Sequence, residues 1–116
     1  MPDYQRLLNK LVEKTAAGRV PWRATMESDL FSASIDGEFT VTIGRTALHE
    51  FVFEMRDKQE NKLVQLSAEK TQAWEQGYEE AVENFELLRH LFEAARAAAL
   101  DVSNQLARAE ALLDNS

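Results

Sequence analysis

The sequence predicts an α+β fold: an N-terminal helix, an antiparallel meander of three to four strands and a long C-terminal helix. Apolar residues recur at helical spacing near both ends, they alternate with polar residues in the middle, and Asp36-Gly37 separates two of the alternating runs. A chain of 116 residues is long enough to bury one core. We therefore expect a single domain over residues 1–116, with a helix at 3–17, the meander at 30–67 and a helical region at 72–114.

The first helix is predicted from an apolar row along the segment 3–17. Asp3 suits the positive end of the helix dipole, while Gly18 and Pro21 are typical of residues that follow a helix end. Trp22 comes directly afterwards, and we expect it to be a core residue where the chain turns; the alternative is an exposed anchor for a partner. The apolar row consists of Tyr4, Leu7, Leu8, Leu11 and Val12.

Four short runs between residues 30 and 67 alternate apolar and polar side chains, as strands with one buried face do. Asp36-Gly37 predicts a type I′ hairpin turn between the first two runs, because both central residues of that turn need positive φ. Residues 44–47 and 57–61 are the other predicted connections. The expected buried face consists of Phe31, Ile35, Phe39, Val41, Ile43, Phe51, Phe53 and Met55.

The C-terminal third has an apolar seam, in which apolar residues repeat at alternating spacings of four and three from Trp74 to Leu113. About forty helical residues would extend about 60 Å, whereas a six-residue strand covers only about 20 Å. One sheet can therefore cover about half of such a helix. The helix is either uninterrupted or broken at 100–103, near Asp101, and in the second case Ser103 is the expected N-cap.

The apolar stripe of this helix is wider than a strict seam, because Leu87, Leu91, Leu100 and Leu112 flank it. A stripe of this width indicates two neighbours, the sheet and one more helix. The second neighbour is either the N-terminal helix or a second copy of the chain, and we favour a homodimer that pairs through this coiled-coil-like helix. The predicted interface consists of Phe85, Leu88, Phe92, Ala95, Ala99, Val102, Leu106, Ala109 and Leu113.

The charge distribution limits the classes of partner. The formal net charge is −7, and residues 69–116 carry ten acidic against four basic side chains. This sign repels a phosphate backbone, so direct nucleic-acid binding is not expected. The start of the sequence lacks the apolar core of a signal peptide, no run of eighteen apolar residues occurs, and cysteine is absent. We expect a cytoplasmic protein that does not contact a membrane.

Catalytic chemistry is not predicted, because the motifs that carry it are missing. The sequence has no Gly-x-Ser-x-Gly elbow, no phosphate-binding glycine loop and no His-Glu-x-x-His motif. Glu86, His90 and Glu93 can share one side of a helix, but an ion-paired surface histidine explains this spacing better than a metal site does. We therefore expect no enzyme activity, no catalytic residue, no metal and no cofactor.

Three stretches carry a likeness to other proteins. They comprise Leu7, Leu8, Leu11, Val12, Thr15, Gly18, Val20 and Trp22, then Phe31 with the run 39–43, then 88–100 with Phe92-Glu93-Ala94-Ala95-Arg96. In these residues the chain resembles a diffuse group of small bacterial proteins without assigned function, some free-standing and some fused to helix-turn-helix domains. The resemblance implies a helix, a strand meander and a closing helix, and it implies no activity. The polar stretch 67–80 departs from the group.

The functional expectation is a non-enzymatic protein–protein interaction module that forms a homodimer. One alternative is an acidic accessory or inhibitor protein that binds a basic partner by mimicking nucleic acid, because the C-terminal region is strongly negative. Another is a small secretion or assembly chaperone that adds an extended peptide to a sheet edge. A metal or hydrolytic enzyme using Glu86, His90 and Glu93 is the last alternative.

Overall fold

The computed structural model describes residues 4–47, 50–69 and 79–116. It confirms the α+β fold class: an N-terminal helix and an antiparallel meander precede two C-terminal helices. The predicted helical residues 72–78 and the histidine at 49 lie outside the described residues. The elements in chain order are α1 (Tyr4–Ala16), β1 (Arg23–Ala24), β2 (Leu30–Ile35), β3 (Phe39–Ala47), β4 (Glu50–Asp57), β5 (Lys62–Glu69), α2 (Glu79–Leu100) and α3 (Val102–Asp114).

Helix α1 ends as the sequence predicts, at a glycine. Gly18 has φ +74°, its N–H donates to the carbonyl of Thr15, and the N–H of Arg19 donates to the carbonyl of Lys14. These two bonds form a Schellman motif, which satisfies carbonyls that a helix end leaves unpaired. Trp22 then turns into the core with 5% of its surface exposed, so the core interpretation of this residue is confirmed.

The sheet is a five-stranded antiparallel meander in the order β1-β2-β3-β4-β5. The sequence predicted three to four strands and did not predict β1, because its two residues are too few to produce an alternating pattern. Residues 44–47, expected to be a loop, continue β3 to Ala47 with a register shift after Arg45. Asp36 and Gly37 both have positive φ, 53° and 72°, as the predicted hairpin requires.

The turn between β4 and β5 is organised by one carboxylate. Asp57 Oδ1 accepts the backbone N–H groups of Gln59 and Asn61, both at 2.9 Å, and Asp57 Oδ2 accepts the side-chain amide of Asn61 at 3.0 Å. The hydrogen bond from the Asn61 side chain, together with the two backbone bonds, lowers the pKa of Asp57. An aspartate that bonds its own turn in this way fixes the hairpin without needing a glycine.

The core lies between one face of the sheet and the helices α1 and α2. Helix α2 contacts all five strands, and α1 packs against α2. The rings of Phe31 and Phe51 lie 5.7 and 5.4 Å from the ring of Phe92. Phe39 is 37% exposed because it lies at the hairpin end of the sheet, which corrects its expected burial. The buried apolar residues are Leu8, Leu11, Trp22, Phe31, Ala33, Val41, Ile43, Phe51, Phe53, Val64, Phe85, Leu88, Leu91, Phe92 and Ala95.

The C-terminal helical region is broken at Asp101, one of the two alternatives that the sequence allowed. Asp101 has φ 50° and ψ 50°, the left-handed conformation, and is the N-cap of α3 in place of the expected Ser103. The Asp101 N–H donates to the carbonyl of Ala98, and its carbonyl accepts the N–H of Gln105. The same residue therefore ends α2 and begins α3.

Candidate functional site

Helix α3 carries three strongly exposed leucine side chains. Leu106, Leu112 and Leu113 are 66%, 64% and 73% exposed, and every residue from Asn104 to Ser116 is exposed. With 3.6 residues per turn, Leu106, Ala109 and Leu113 lie on one side of α3. These three residues are called the α3 row below. An unburied leucine row on a thirteen-residue helix is a candidate contact surface.

The break divides the nine predicted interface residues into two groups. Phe85, Leu88, Phe92 and Ala95 are buried against the protomer's own sheet and α1, and Ala99 is half-buried at the margin of the same core. Leu106, Ala109 and Leu113 are exposed, whereas the structure does not describe the side chain of Val102. The first four residues have no surface to offer a second copy, so only the α3 row remains a candidate interface.

The N-terminal helix is a second neighbour of α2, beside the sheet. Leu8 and Leu11 of α1 belong to the core that contains α2, Leu87 packs against that core, and the Gln5 amide donates to Asn84 Oδ1 at 3.1 Å. The widened stripe of the sequence is therefore explained inside the protomer. The homodimer itself stays a prediction.

A groove of about 540 Å³ lies between α1, the segment that follows α1 and the end of β2. Its floor is apolar: Leu11 is buried, and Leu7, Val20 and Ile35 are half-buried. The remaining lining residues are Lys10, Lys14, Arg19, Pro21, Ser34 and Asp36. We call it the α1–β2 groove.

The rim of the α1–β2 groove is positively charged although the chain is acidic overall. Lys10, Lys14 and Arg19 are exposed around it, against one carboxylate, Asp36. Within the described part of the chain, no carboxylate oxygen lies within 4.0 Å of any of these three cations. An apolar floor with unneutralised cations at its rim suits a ligand that is apolar on one side and acidic beside it.

The carboxylates that the sequence placed near His90 are held by an arginine. Arg89 contacts Glu86 through its Nη2 and lies 3.5 Å from Glu93 through its Nη1. The hydrogen bond that Arg89 donates to Glu86 raises the pKa of Arg89, and the negative charges of Glu86 and Glu93 add to the effect. His90 is exposed. Among the described residues, no group of three or more His, Cys, Asp or Glu side chains could hold a metal ion.

The outer face of the sheet carries a small ionic network around Glu54. Lys62 Nζ lies 3.1 Å and Arg56 Nη2 3.2 Å from the Glu54 carboxylate. Burial acts to raise the pKa of Glu54, but the hydrogen bonds from Lys62 and Arg56 outweigh it and the pKa is lowered. The network joins β4 to β5.

The α3 row belongs to the interface predicted from the sequence, whereas the α1–β2 groove was not predicted. Lys10 and Lys14 lie outside the apolar row that predicts the first helix, and Ile35 was expected in the buried face of the sheet. Only the tertiary fold brings α1, Arg19 and the end of β2 together, so no local pattern could have indicated the groove.

Comparison of the chain with family models, curated proteins and solved structures finds no match. The resemblance to small bacterial proteins therefore remains an expectation. In the described part of the chain, no helix is long and apolar enough to cross a membrane.

Proposed function

We propose that this chain is a non-enzymatic protein–protein interaction module that self-associates through α3. The observation that carries the proposal is the exposure of Leu106 and Leu113 on a helix whose described side chains are all exposed. Fully burying a leucine side chain contributes about 1.5–3 kcal/mol. Covering the α3 row of two copies therefore contributes a driving force for association, which has to exceed the cost of lost translational and rotational freedom.

The acidic-accessory alternative has weaker support from the side-chain contacts. Glu86 and Glu93 belong to the negative C-terminal region, but both are already paired with Arg89. Helix α3 carries two acids, Glu110 and Asp114, and one base, Arg108, so its own net charge is only −1. Binding to a basic partner would fade as salt is added, whereas an apolar contact would persist.

The experiment is the solution mass of the purified chain, measured by light scattering behind a sizing column at 0.05 and 0.5 M salt. We expect a dimer at both salt concentrations. The double variant Leu106→Asp with Leu113→Asp should be a monomer that retains the far-ultraviolet circular dichroism of the parent chain.

The matched control is Ala107→Asp with Ala111→Asp. These substitutions introduce two aspartates at exposed positions on the side of α3 away from the α3 row. The control should remain dimeric. A monomeric parent chain, or a Leu106→Asp and Leu113→Asp variant that stays dimeric, would overturn the proposed function.

A further inference from the structure

We infer that α3 of one copy docks in the α1–β2 groove of a second copy, with its α3 row on the groove floor and its acids against the cationic rim. The inference rests on the proposed function and names the surface that receives α3. When both copies dock in this way, they form a symmetric dimer with two identical contacts, each between α3 of one copy and the α1–β2 groove of the other.

The size of α3 argues against a dimer formed by two α3 helices alone. A thirteen-residue helix is about 20 Å long, and two such helices contact each other through one row of side chains each. Stable dimers bury about 1,200–2,000 Å² in total. Reciprocal docking into two grooves brings α1, α3 and the end of β2 of both copies into the interface, and so supplies more area than a single helix pair.

The apolar parts of the two surfaces are complementary in shape. The α1–β2 groove is concave, and Leu7, Val20 and Ile35 of its floor are only half-buried by the protomer itself. The α3 row is a convex strip of leucine and alanine. Docking would bury the surface of these three floor residues that is still exposed, and it would cover Leu106 and Leu113.

The charges are complementary in sign and in spacing. Lys10 and Lys14 are one helical turn apart on α1, and Glu110 and Asp114 are one turn apart on α3, beside the α3 row. Two helices packed side by side can therefore place both carboxylates near both ammonium groups. Arg19 adds a third cation on the same rim.

The first test reverses the rim charges. Lys10→Glu with Lys14→Glu turns attraction into repulsion at two positions, so we expect the dimer to be weakened about tenfold or more at 0.15 M salt. Lys58→Glu with Arg96→Glu makes the same change in net charge on exposed residues outside the groove and α3, and it should leave the dissociation constant unchanged. A rim variant that dimerises like this control would overturn the inference and leave the proposed function standing.

The second test mixes two association-deficient copies. One carries Leu106→Asp with Leu113→Asp, and the other carries Lys10→Glu with Lys14→Glu. Each has one intact surface, so the mixture should form a one-to-one complex by sedimentation velocity while each copy alone sediments as a monomer at the same concentration. An α3–α3 dimer needs two intact α3 helices and therefore predicts no one-to-one complex between these two copies. The absence of any such complex in the mixture would overturn the inference.

A third variant tests the pairing directly. Combining Lys10→Glu and Lys14→Glu with Glu110→Lys and Asp114→Lys in one chain exchanges the charges of the two surfaces. We expect the dimer to recover. Failure to recover in a folded chain would contradict the pairing of α1 with α3. A parent chain that is monomeric throughout, including one whose α3 folds back onto its own groove, would overturn both this inference and the proposed function.

Discussion

The indole Nε1 of Trp22 donates a hydrogen bond to Oγ1 of Thr15 at 2.9 Å, and both residues are 5% exposed. Thr15 lies in the last turn of α1, and Trp22 directly precedes β1. The bond therefore joins the helix end to the start of the sheet across the Gly18 turn. It also satisfies the polar atom of the tryptophan and that of the threonine inside the core.

Replacing Thr15 by valine should lower the free energy of unfolding by about 1–3 kcal/mol, because the buried indole N–H then has no acceptor. Thr15→Ser keeps the acceptor oxygen and should cost less. The measurement is urea denaturation followed by circular dichroism. Equal losses in the two variants would show that the hydrogen bond does not stabilise the fold.

Apolar residues on the two sides of the break at Asp101 should differ in their contribution to stability. Phe92 is 3% exposed and contacts two other rings, so Phe92→Ala should cost about 3–5 kcal/mol or prevent folding. Leu112 is 64% exposed and lies beside the α3 row, so Leu112→Ala should cost less than about 0.5 kcal/mol. Thermal and urea denaturation measure both. A large loss at Leu112 would mean that this side chain is packed, either within the protomer or in the contact between copies.

Local patterns predicted the elements of this fold but could not predict what each element contacts. The Asp36-Gly37 turn and the end of α1 at Gly18 both need positive φ, which few residue types adopt, so both could be predicted from the sequence. Phe92 and Leu113 occupy equivalent positions in one seam, yet one is buried and the other exposed. Periodicity identifies an apolar side; the length of the sheet and the position of α1 decide how much of it is covered.

The carboxyl group of Glu54 should titrate below its ordinary value of 4.5. Lys62→Met removes the first of the hydrogen bonds that oppose burial, so the pKa of Glu54 should rise in this variant. The measurement is carbonyl carbon NMR of the Glu54 side chain between pH 2.5 and 7. An unchanged midpoint would show that Lys62 does not bond Glu54 in solution.

The same shift predicts a pH dependence of stability. The pKa of Glu54 is lower in the folded than in the unfolded chain, so its contribution is complete above about pH 4.5 and is lost as the pH falls through the folded-state pKa. Glu54→Gln should therefore lower stability near neutral pH and reduce its decline in acid. Urea denaturation at pH 3 and pH 7 measures the difference. An acid decline equal to that of the parent chain would contradict the assignment.

The break between α2 and α3 should depend on the residue at position 101. The left-handed conformation of Asp101 costs most residues about 1–2 kcal/mol, whereas aspartate tolerates it and glycine adopts it freely. Asp101→Gly should therefore preserve the break. Asp101→Ala should shift the chain towards one continuous helix, because alanine has the highest helix propensity.

Distances between two spin labels would distinguish the broken helix from the continuous one. The chain has no cysteine, so His90→Cys and Ala111→Cys, both at exposed positions, introduce the only labelling sites. A continuous helix separates these positions by about 32 Å along its axis. The labels are best placed in the Leu106→Asp and Leu113→Asp background, where contacts between copies are removed. We expect the parent residue and Asp101→Gly to give a shorter distance, and Asp101→Ala to add a population near the continuous value. A continuous-helix distance with aspartate at position 101 would contradict the break and, with it, the separation of the α3 row from the core.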